Sequence, residues 1–302
     1  MGASGDQPRA TRLLQQAISR LGLEIQRVVP VSDSFSSSVL SFVTTHGQHL
    51  VLKLPWSRAK AEREIRALDL LQNHAFVPNL VDTLEIEGEL ILLIQGLGGE
   101  PWQESWELPP KSLYDIGLAV AQIHEVSVEG YSGHASWESF LQENAREYIQ
   151  RIKGDDRDLA QIALQILSEN IDIVDFSGSA QLVHFDLRPG NVLVRELNFV
   201  GIIDFESWRG GHASMDFFKF WEHFAKTGHN GLDLICKAYR DSVSVAEGWM
   251  YPNELAELMK LYSAYHGLAG LSWCYTRSNF EGDFPVRNRQ RIQDAIQFFG
   301  VP

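Results

Sequence analysis

Asp186, Asn191 and Asp204 carry the chemistry of this sequence. They stand in Val183-His184-Phe185-Asp186-Leu187-Arg188-Pro189-Gly190-Asn191-Val192-Leu193-Val194 and in Ile202-Ile203-Asp204-Phe205-Glu206. Transfer of a phosphoryl group from a nucleotide asks for little covalent help. It needs a carboxylate that orients the acceptor hydroxyl and oxygen ligands that hold magnesium across the phosphates. The catalytic loop of kinases reads H-R-D-x-x-x-x-N, and His184, Asp186 and Asn191 keep that spacing with only the residue between His and Asp changed. Asn191 and Asp204 are hard oxygen donors suited to octahedral magnesium, so they are the candidate metal ligands.

The two halves of this set must be folded back on one another. Apolar alternation through Val192 and Val194, the polar turn Arg195-Glu196-Leu197-Asn198 and the apolar run from Phe199 to Ile203 predict a β-hairpin. Such a hairpin would return Asp204 to Asn191. A buried hairpin with incidental carboxylates is the competing reading, and the number of matched motif positions argues against it.

The stretch resembles the aminoglycoside phosphotransferase and choline kinase superfamily, whose members read H-G-D-x-H-P-G-N-x-L and then I-D-F/W-G/E. His184, Asp186, Pro189, Gly190, Asn191, Leu193, Ile203, Asp204 and Phe205 match, whereas Phe185 stands where Gly is usual and Arg188 where His is common. The resemblance implies an α+β fold of the bilobal protein-kinase-like type, with a small β-rich N-terminal lobe and a larger, mainly helical C-terminal lobe. It implies Asp186 as the catalytic carboxylate, with His184 supporting the loop. Arg188 would set a cation beside the transferring group, where charge develops. Glu206 replaces the usual Gly and is either a further metal ligand or a surface-facing side chain.

An N-terminal lobe over 1–97 is expected to bind the nucleotide. Thr11 to Leu21 predicts a helix, and Ile25 to Leu54 alternates like strands broken at Ser32 to Ser38 and at His46-Gly47-Gln48. The first break takes the place of the loop over the ATP phosphates and lacks glycine. Ser36 and Ser37 could still present hydroxyls and backbone N–H groups to phosphate, and a solvated serine loop is the equal alternative. Lys53 follows an apolar strand, as the β3 lysine of kinases does. Ala61, Ile65, Leu68 and Leu71 predict an amphipathic helix over 59–72, on which Glu64 is the candidate partner of Lys53 and Glu62 its rival. Glu89 to Ile94 reads as a buried strand. The connection Gln95-Gly96-Leu97-Gly98-Gly99 resembles a hinge whose backbone at Gln95, Gly96 and Leu97 would meet the adenine edge.

The C-terminal lobe, 98–302, should open with a helix carrying Leu113, Ile116, Val120 and Ile123 on one face and ending at a structural His124. Helices over 137–151 and 159–167 follow. Gly211 and Asp216 align with the family pattern G-D-P-x-x-D, with His212 in place of Asp, and Asp216 is expected to brace the catalytic loop. Eleven residues separate Asp204 from Asp216 and no A-P-E follows, which disfavours a protein substrate.

Composition bounds the partners. A formal net charge of -13 argues against nucleic acid and anionic membranes and is compatible with a cationic small-molecule acceptor. Glu222, Glu247, Glu254, Glu257, Glu281 and Asp283 could meet ammonium groups, and Trp208, Trp221, Trp273, Tyr275 and Phe280 could meet a quaternary ammonium. The resemblance therefore implies a kinase using magnesium and ATP or GTP, foremost an aminoglycoside-type antibiotic phosphotransferase. A choline, homoserine, macrolide or sugar kinase and a catalytically silent nucleotide-binding scaffold are the alternatives. Two distant cysteines, Cys236 and Cys274, and the lack of an apolar leader or a spanning run predict a cytoplasmic protein with free thiols.

Overall fold

The computed structural model describes residues 7–31, 37–174, 178–243 and 252–300. Its N-terminal part is helix α1 (Gln7–Arg20) and a five-stranded antiparallel sheet of β1 (Ile25–Val29), β2 (Ser37–Thr44), β3 (His49–Pro55), β4 (Leu80–Ile86) and β5 (Glu89–Gln95), in the order β1-β2-β3-β5-β4. Helix α2 (Arg58–Leu70) is inserted between β3 and β4, and the hydroxyl of Ser57 accepts from the Lys60 amide at its start. Side chains alternate along a strand. Leu50 and Leu52 of β3 therefore enter a small core with Leu13, Leu14 and Ala17 of α1, while Val51 and Lys53 face the opposite side.

The rest is mainly helical. Strand β6 (Glu100–Pro101) leads to α3 (Pro110–His124), α4 (Trp137–Arg151) and α5 (Asp156–Glu169). The short strands β7 (Gln181–Val183), β8 (Val192–Arg195), β9 (Asn198–Ile202) and β10 (Arg209–Gly211) follow, then α6 (Phe217–Thr227), α7 (Gly231–Ser242), α8 (Pro252–Arg277) and α9 (Asp283–Phe299). Two small sheets, β6-β8-β9 and β7-β10, hold the strands that carry the site. The larger core joins α3, α4, α5, α7 and α8 to α2 and β5 of the N-terminal part. Helices α3 and α7 approach so closely that a Cβ at Gly117 would lie 2.4 Å from the Ile235 carbonyl oxygen. The fold is α+β, with a β-rich N-terminal sheet and a helical C-terminal part.

The expected helices are present, with ends moved by capping and charge. The helix expected over 159–167 runs Asp156–Glu169, because Asp156 and Asp158 favour its positive N-terminal end. The expected hairpin is β8 paired with β9, and Glu196 (φ 51°) and Leu197 (φ 62°) both adopt left-handed conformations at its tip. That is the backbone a two-residue hairpin requires. Cys236 and Cys274 are free and buried. Among the described residues no helix is long and apolar enough to cross a membrane.

Candidate active site

Strand β3 sends Lys53 into the wall of a cleft that Ser37, Gln95, Gly96 and Leu97 also line, along with Arg188, Asn191 and Asp204. Ser36 and most of the serine loop lie outside the described residues. A side chain at position 96 would collide with the His49 ring, at 2.5 Å, so glycine is needed where the connection passes β3. The Gly96 amide donates to the His49 carbonyl there at 2.9 Å.

Lys53 is almost fully buried and is held by three carboxylates. Its Nζ lies 2.9 and 2.7 Å from Glu64 Oε1 and Oε2, 2.5 Å from Asp204 Oδ1 and 3.3 Å from Glu206 Oε2. Burial disfavours the ammonium, but Glu64, Asp204 and Glu206 together outweigh it and raise the Lys53 pKa. Burial likewise works against ionised Asp204, and Lys53 overcomes it with help from His184 and Arg188, so that carboxyl is held below its ordinary range. Glu64 is pushed up to about 7 by burial, against the pull of Lys53. Glu62 is exposed and paired with Arg58 at 3.0 Å, which leaves Glu64 as the partner of Lys53.

Glu206 is not surface-facing. It is 1% exposed and its Oε1 accepts from Lys60 at 2.5 Å. Sequence reading passed over Lys60, whose place one helical turn before Glu64 on α2 was the available signal. Oxygens of Glu64, Asp204 and Glu206 lie within 4.8 Å of one another, and the buried Oε2 atoms of Glu64 and Glu206 have Lys53 Nζ as their ionic partner, at 2.7 and 3.3 Å. Such a set of hard anionic donors fits a magnesium ion.

The catalytic loop is built on Asp216. Its Oδ2 and Oδ1 accept from the successive amides of His184 and Phe185, each at 2.8 Å, and Oδ2 also meets His124 Nε2 at 2.9 Å. Adjacent amides converging on one anion form a nest, and Phe185 adopts the left-handed conformation that a nest requires (φ 69°). His184 is fully buried. Its Nε2 meets the Ile203 carbonyl at 2.9 Å and its Nδ1 meets the Asp186 amide at 3.3 Å, which ties the loop to the segment ahead of Asp204. Asn191 uses its amide nitrogen on the Asp186 carbonyl at 2.8 Å, which leaves the amide oxygen as the end available to a cation. Asp204 is itself left-handed (φ 73°), a conformation that Asp tolerates better than most residues. Asp186 remains 37% exposed at its side chain, with Arg188 Nε 3.5 Å away.

Beyond Asp186 the surroundings are aromatic and cationic. The Phe185 ring meets Trp137, Phe140 and Tyr265 edge-on, and the His266 ring at a tilt. Bulk where glycine is usual thus finishes a ring cluster. Arg209 lies over the Phe185 ring at 5.7 Å, and Lys219 of α6 lies over Phe218 at 5.4 Å. Neither cation was singled out in the sequence, because each stands alone in an apolar or glycine-rich context. Of the acidic residues considered for an acceptor, Glu222 is taken by Arg291 through two contacts of 2.6 Å, and Glu254, Glu257, Glu281 and Asp283 are exposed. Glu247 lies outside the described residues. Trp273 and the Tyr275–Phe280 pair belong to the far end of α8 and its exit, apart from the Phe185 cluster.

A β-rich sheet bearing an anchored lysine, and a catalytic loop and hairpin converging beneath it, define the kinase-like class of folds. The chain belongs to the phosphotransferase enzyme family, whose profile matches residues 27–251. It is a phosphotransferase. Its structure is similar to that of aminoglycoside phosphotransferase APH(4)-Ia (TM-score 0.72, 18% identity, 95% of this chain and 98% of that one). It is also similar to macrolide 2'-phosphotransferase MphH from Brachybacterium faecium (TM-score 0.66, 17% identity, 94% and 98%). A third likeness is to a putative fructosamine-3-kinase from Thermobifida fusca YX-ER1 (TM-score 0.65, 16% identity, 94% and 98%). At these identities the likeness is one of fold. No curated protein matches the chain in sequence at a significant level.

Proposed function

We propose that the chain transfers the γ-phosphoryl group of ATP or GTP to a hydroxyl of a small molecule, with Asp186 as the catalytic carboxylate. The observation that carries this is Lys53, tied to Glu64 and Asp204 in the wall of a cleft whose opposite side holds Arg188 and Asn191. The lobes would divide near residue 97, and Gln95, Gly96 and Leu97 would offer backbone groups to the base.

In this reading Lys53 meets the α- and β-phosphates while Glu64 fixes its direction. Asp186 accepts the proton of the acceptor hydroxyl as its oxygen bonds to the γ-phosphorus. The bond from that phosphorus to the β-bridging oxygen breaks, and the nucleoside diphosphate leaves with the electron pair. Magnesium, held by Asn191 and Asp204 with Glu206 near enough to assist, would neutralise the phosphate charge. Arg188 adds a cation where charge builds up. His184 and Asp216 position the loop and touch no substrate. The structural neighbours include a complex of a thermostable APH(4)-Ia mutant with AMP-PNP and hygromycin B, which makes an antibiotic alcohol, and hence antibiotic resistance, one acceptor reading to test.

The test is magnesium-dependent release of ADP or GDP across aminoglycosides, macrolides, choline, homoserine, sugars and their acidic derivatives. Stimulation that disappears in Asp186→Asn, with nucleotide binding retained, is expected. Undiminished turnover in that variant would remove Asp186 from the reaction.

A further inference from the structure

We propose that the acceptor is an anionic alcohol, whose carboxylate or phosphate is received by Lys219 and Arg209 while its hydroxyl lies at Asp186. This deepens the phosphotransferase reading and rests on it.

With 39 acidic residues against 26 basic ones, a half-buried cation in this chain should find a carboxylate easily. Burying a charge is costly unless it is paired. Arg209 spends Nη1 on the carbonyls of Ser207 and Trp208, at 3.0 and 2.8 Å, and pairs with no carboxylate among the described residues. Burial and the nearby Arg63 depress its pKa to about 10. Among the described residues Lys219 comes no nearer a carboxylate than 3.9 Å, from Glu222 Oε2, and that group is already taken by Arg291. Burial and Arg291 push the Lys219 pKa down to about 8, against the attraction of Glu222 and Asp186. Lys219, which feels the Asp186 charge, and Arg209, which lies over the neighbouring Phe185, thus lack a full carboxylate partner among the described residues.

Their placement fits one ligand. Helix α6, which carries Lys219, packs against the turn at 189–191 that closes the catalytic loop. Arg209 covers Phe185, the residue next to Asp186. Between them run the rings of Phe185, His266 and Phe218, with His266 stacked on Phe218 at 4.3 Å and 6.2 Å from Phe185. The buried His266 adds no charge between the two cations, since burial and the nearby Lys219 and Arg291 hold its pKa well below the ordinary value. Arg188, on the nucleotide side, is left to the phosphate being transferred. An alcohol with an anionic group would complete the partnership of Lys219 and Arg209, whereas a polyamine would add to the repulsion already there.

The decisive experiment compares matched ligands by calorimetry with the full chain, magnesium and a non-hydrolysable ATP analogue. The pairs are glycerol 3-phosphate and glycerate against glycerol, and glucose 6-phosphate and gluconate against glucose, with kanamycin as the polycationic alcohol. At least one anionic member should bind about tenfold or more tightly than its neutral counterpart, the scale of a charged hydrogen bond. Lys219→Met and Arg209→Gln, each first checked for an unchanged Tm, should remove that margin, and Lys219→Arg should restore most of it. Equal or tighter binding of neutral or polycationic ligands, or no anionic preference in any pair, would overturn the proposal. Asp186→Asn separates the two readings. If it leaves ADP release intact, the phosphotransfer assignment of Asp186 fails, while the binding comparison still decides the anionic acceptor.

Discussion

Phe185 is the residue at which the loop departs furthest from its family, and it permits a quantitative test. Its φ of 69° is left-handed, which costs a residue with a side chain about 1–2 kcal/mol relative to the right-handed region. The conformation is fixed from outside, because the Phe185 amide and the His184 amide must both reach Asp216. Against that cost stands the ring, half-buried and in contact with Trp137, Phe140, Tyr265 and His266. Removing a fully buried Phe costs about 3–5 kcal/mol, so partial burial suggests about 2–3 kcal/mol here. Phe185→Ala loses the ring and keeps the strain, and should be destabilised by that amount. Phe185→Gly loses the same ring but relieves about 1–2 kcal/mol of strain, offset by about 0.5–1 kcal/mol of extra unfolded-state entropy. The glycine variant should therefore be the more stable of the two by about 0.5–1 kcal/mol, the reverse of the order in ordinary helix or strand. Urea denaturation of the two proteins side by side measures this. An alanine variant as stable as the glycine one, or more so, would mean that the loop relaxes away from the nest and that Asp216 does not dictate its backbone.

Three further outcomes follow from the charges. Lys53→Met should leave the buried Glu64 and the half-buried Asp204 without their cation and destabilise the fold by about 3–5 kcal/mol in urea, with much of the loss recovered in Lys53→Met/Glu64→Gln; a loss under about 1 kcal/mol would mean that these charges relax. Glu206→Gln should weaken magnesium-dependent nucleotide binding, with Lys60→Met moving it less, as titration calorimetry at several magnesium concentrations would read; affinity independent of Glu206 would confine it to lobe packing. Lys219 is cationic below about 8, and the groups around it are Glu222 on its own helix, Asp186 on the loop, His266 on α8 and Arg287 and Arg291 on α9. KM for an anionic acceptor should therefore rise as pH passes upward through about 8, and a KM flat from pH 7 to 9 in the native chain would contradict this.

Local motifs made the grouping of Asp186, Asn191 and Asp204 legible in the sequence. Asp186, Asn191 and Asp204 lie within one short stretch, and the hairpin that rejoins them is written in its alternation. Lys53 and Glu64 were reachable because a strand period of two and a helical face each predict one buried direction, and only Glu64 of the two candidates shares the buried face with Ala61 and Leu68. The proposed acceptor side was not legible in this way. Lys219, Arg209 and the rings between them come from α6, β10, the catalytic loop and α8, and no periodicity connects elements so far apart in sequence. The count of acidic residues in the last third pointed toward a cationic acceptor. In the structure Glu222 is neutralised by Arg291, the other described acids of that set lie on exposed surface, and Arg188 stands 3.5 Å from Asp186.

The two ends of the site carry opposite charge, and that opposition has a mechanistic consequence. On the nucleotide side Glu64, Asp204 and Glu206 face Lys53 and Lys60, an excess of carboxylate that suits a divalent cation joined to a polyphosphate. On the proposed acceptor side Arg209, Lys219 and Arg291 outnumber Glu222, the excess that an anionic alcohol would relieve. Asp186 stands at the junction with Arg188 3.5 Å away. In the proposed reading it would orient the hydroxyl and take its proton late, as the bond to the leaving oxygen lengthens, which suits a loose transition state with little nucleophilic push. On this account Arg188→Lys, which keeps the charge and loses the planar fork, should lower kcat with little change in acceptor KM. An effect of that substitution on KM alone would move Arg188 from the transferring phosphoryl group to the binding of the acceptor.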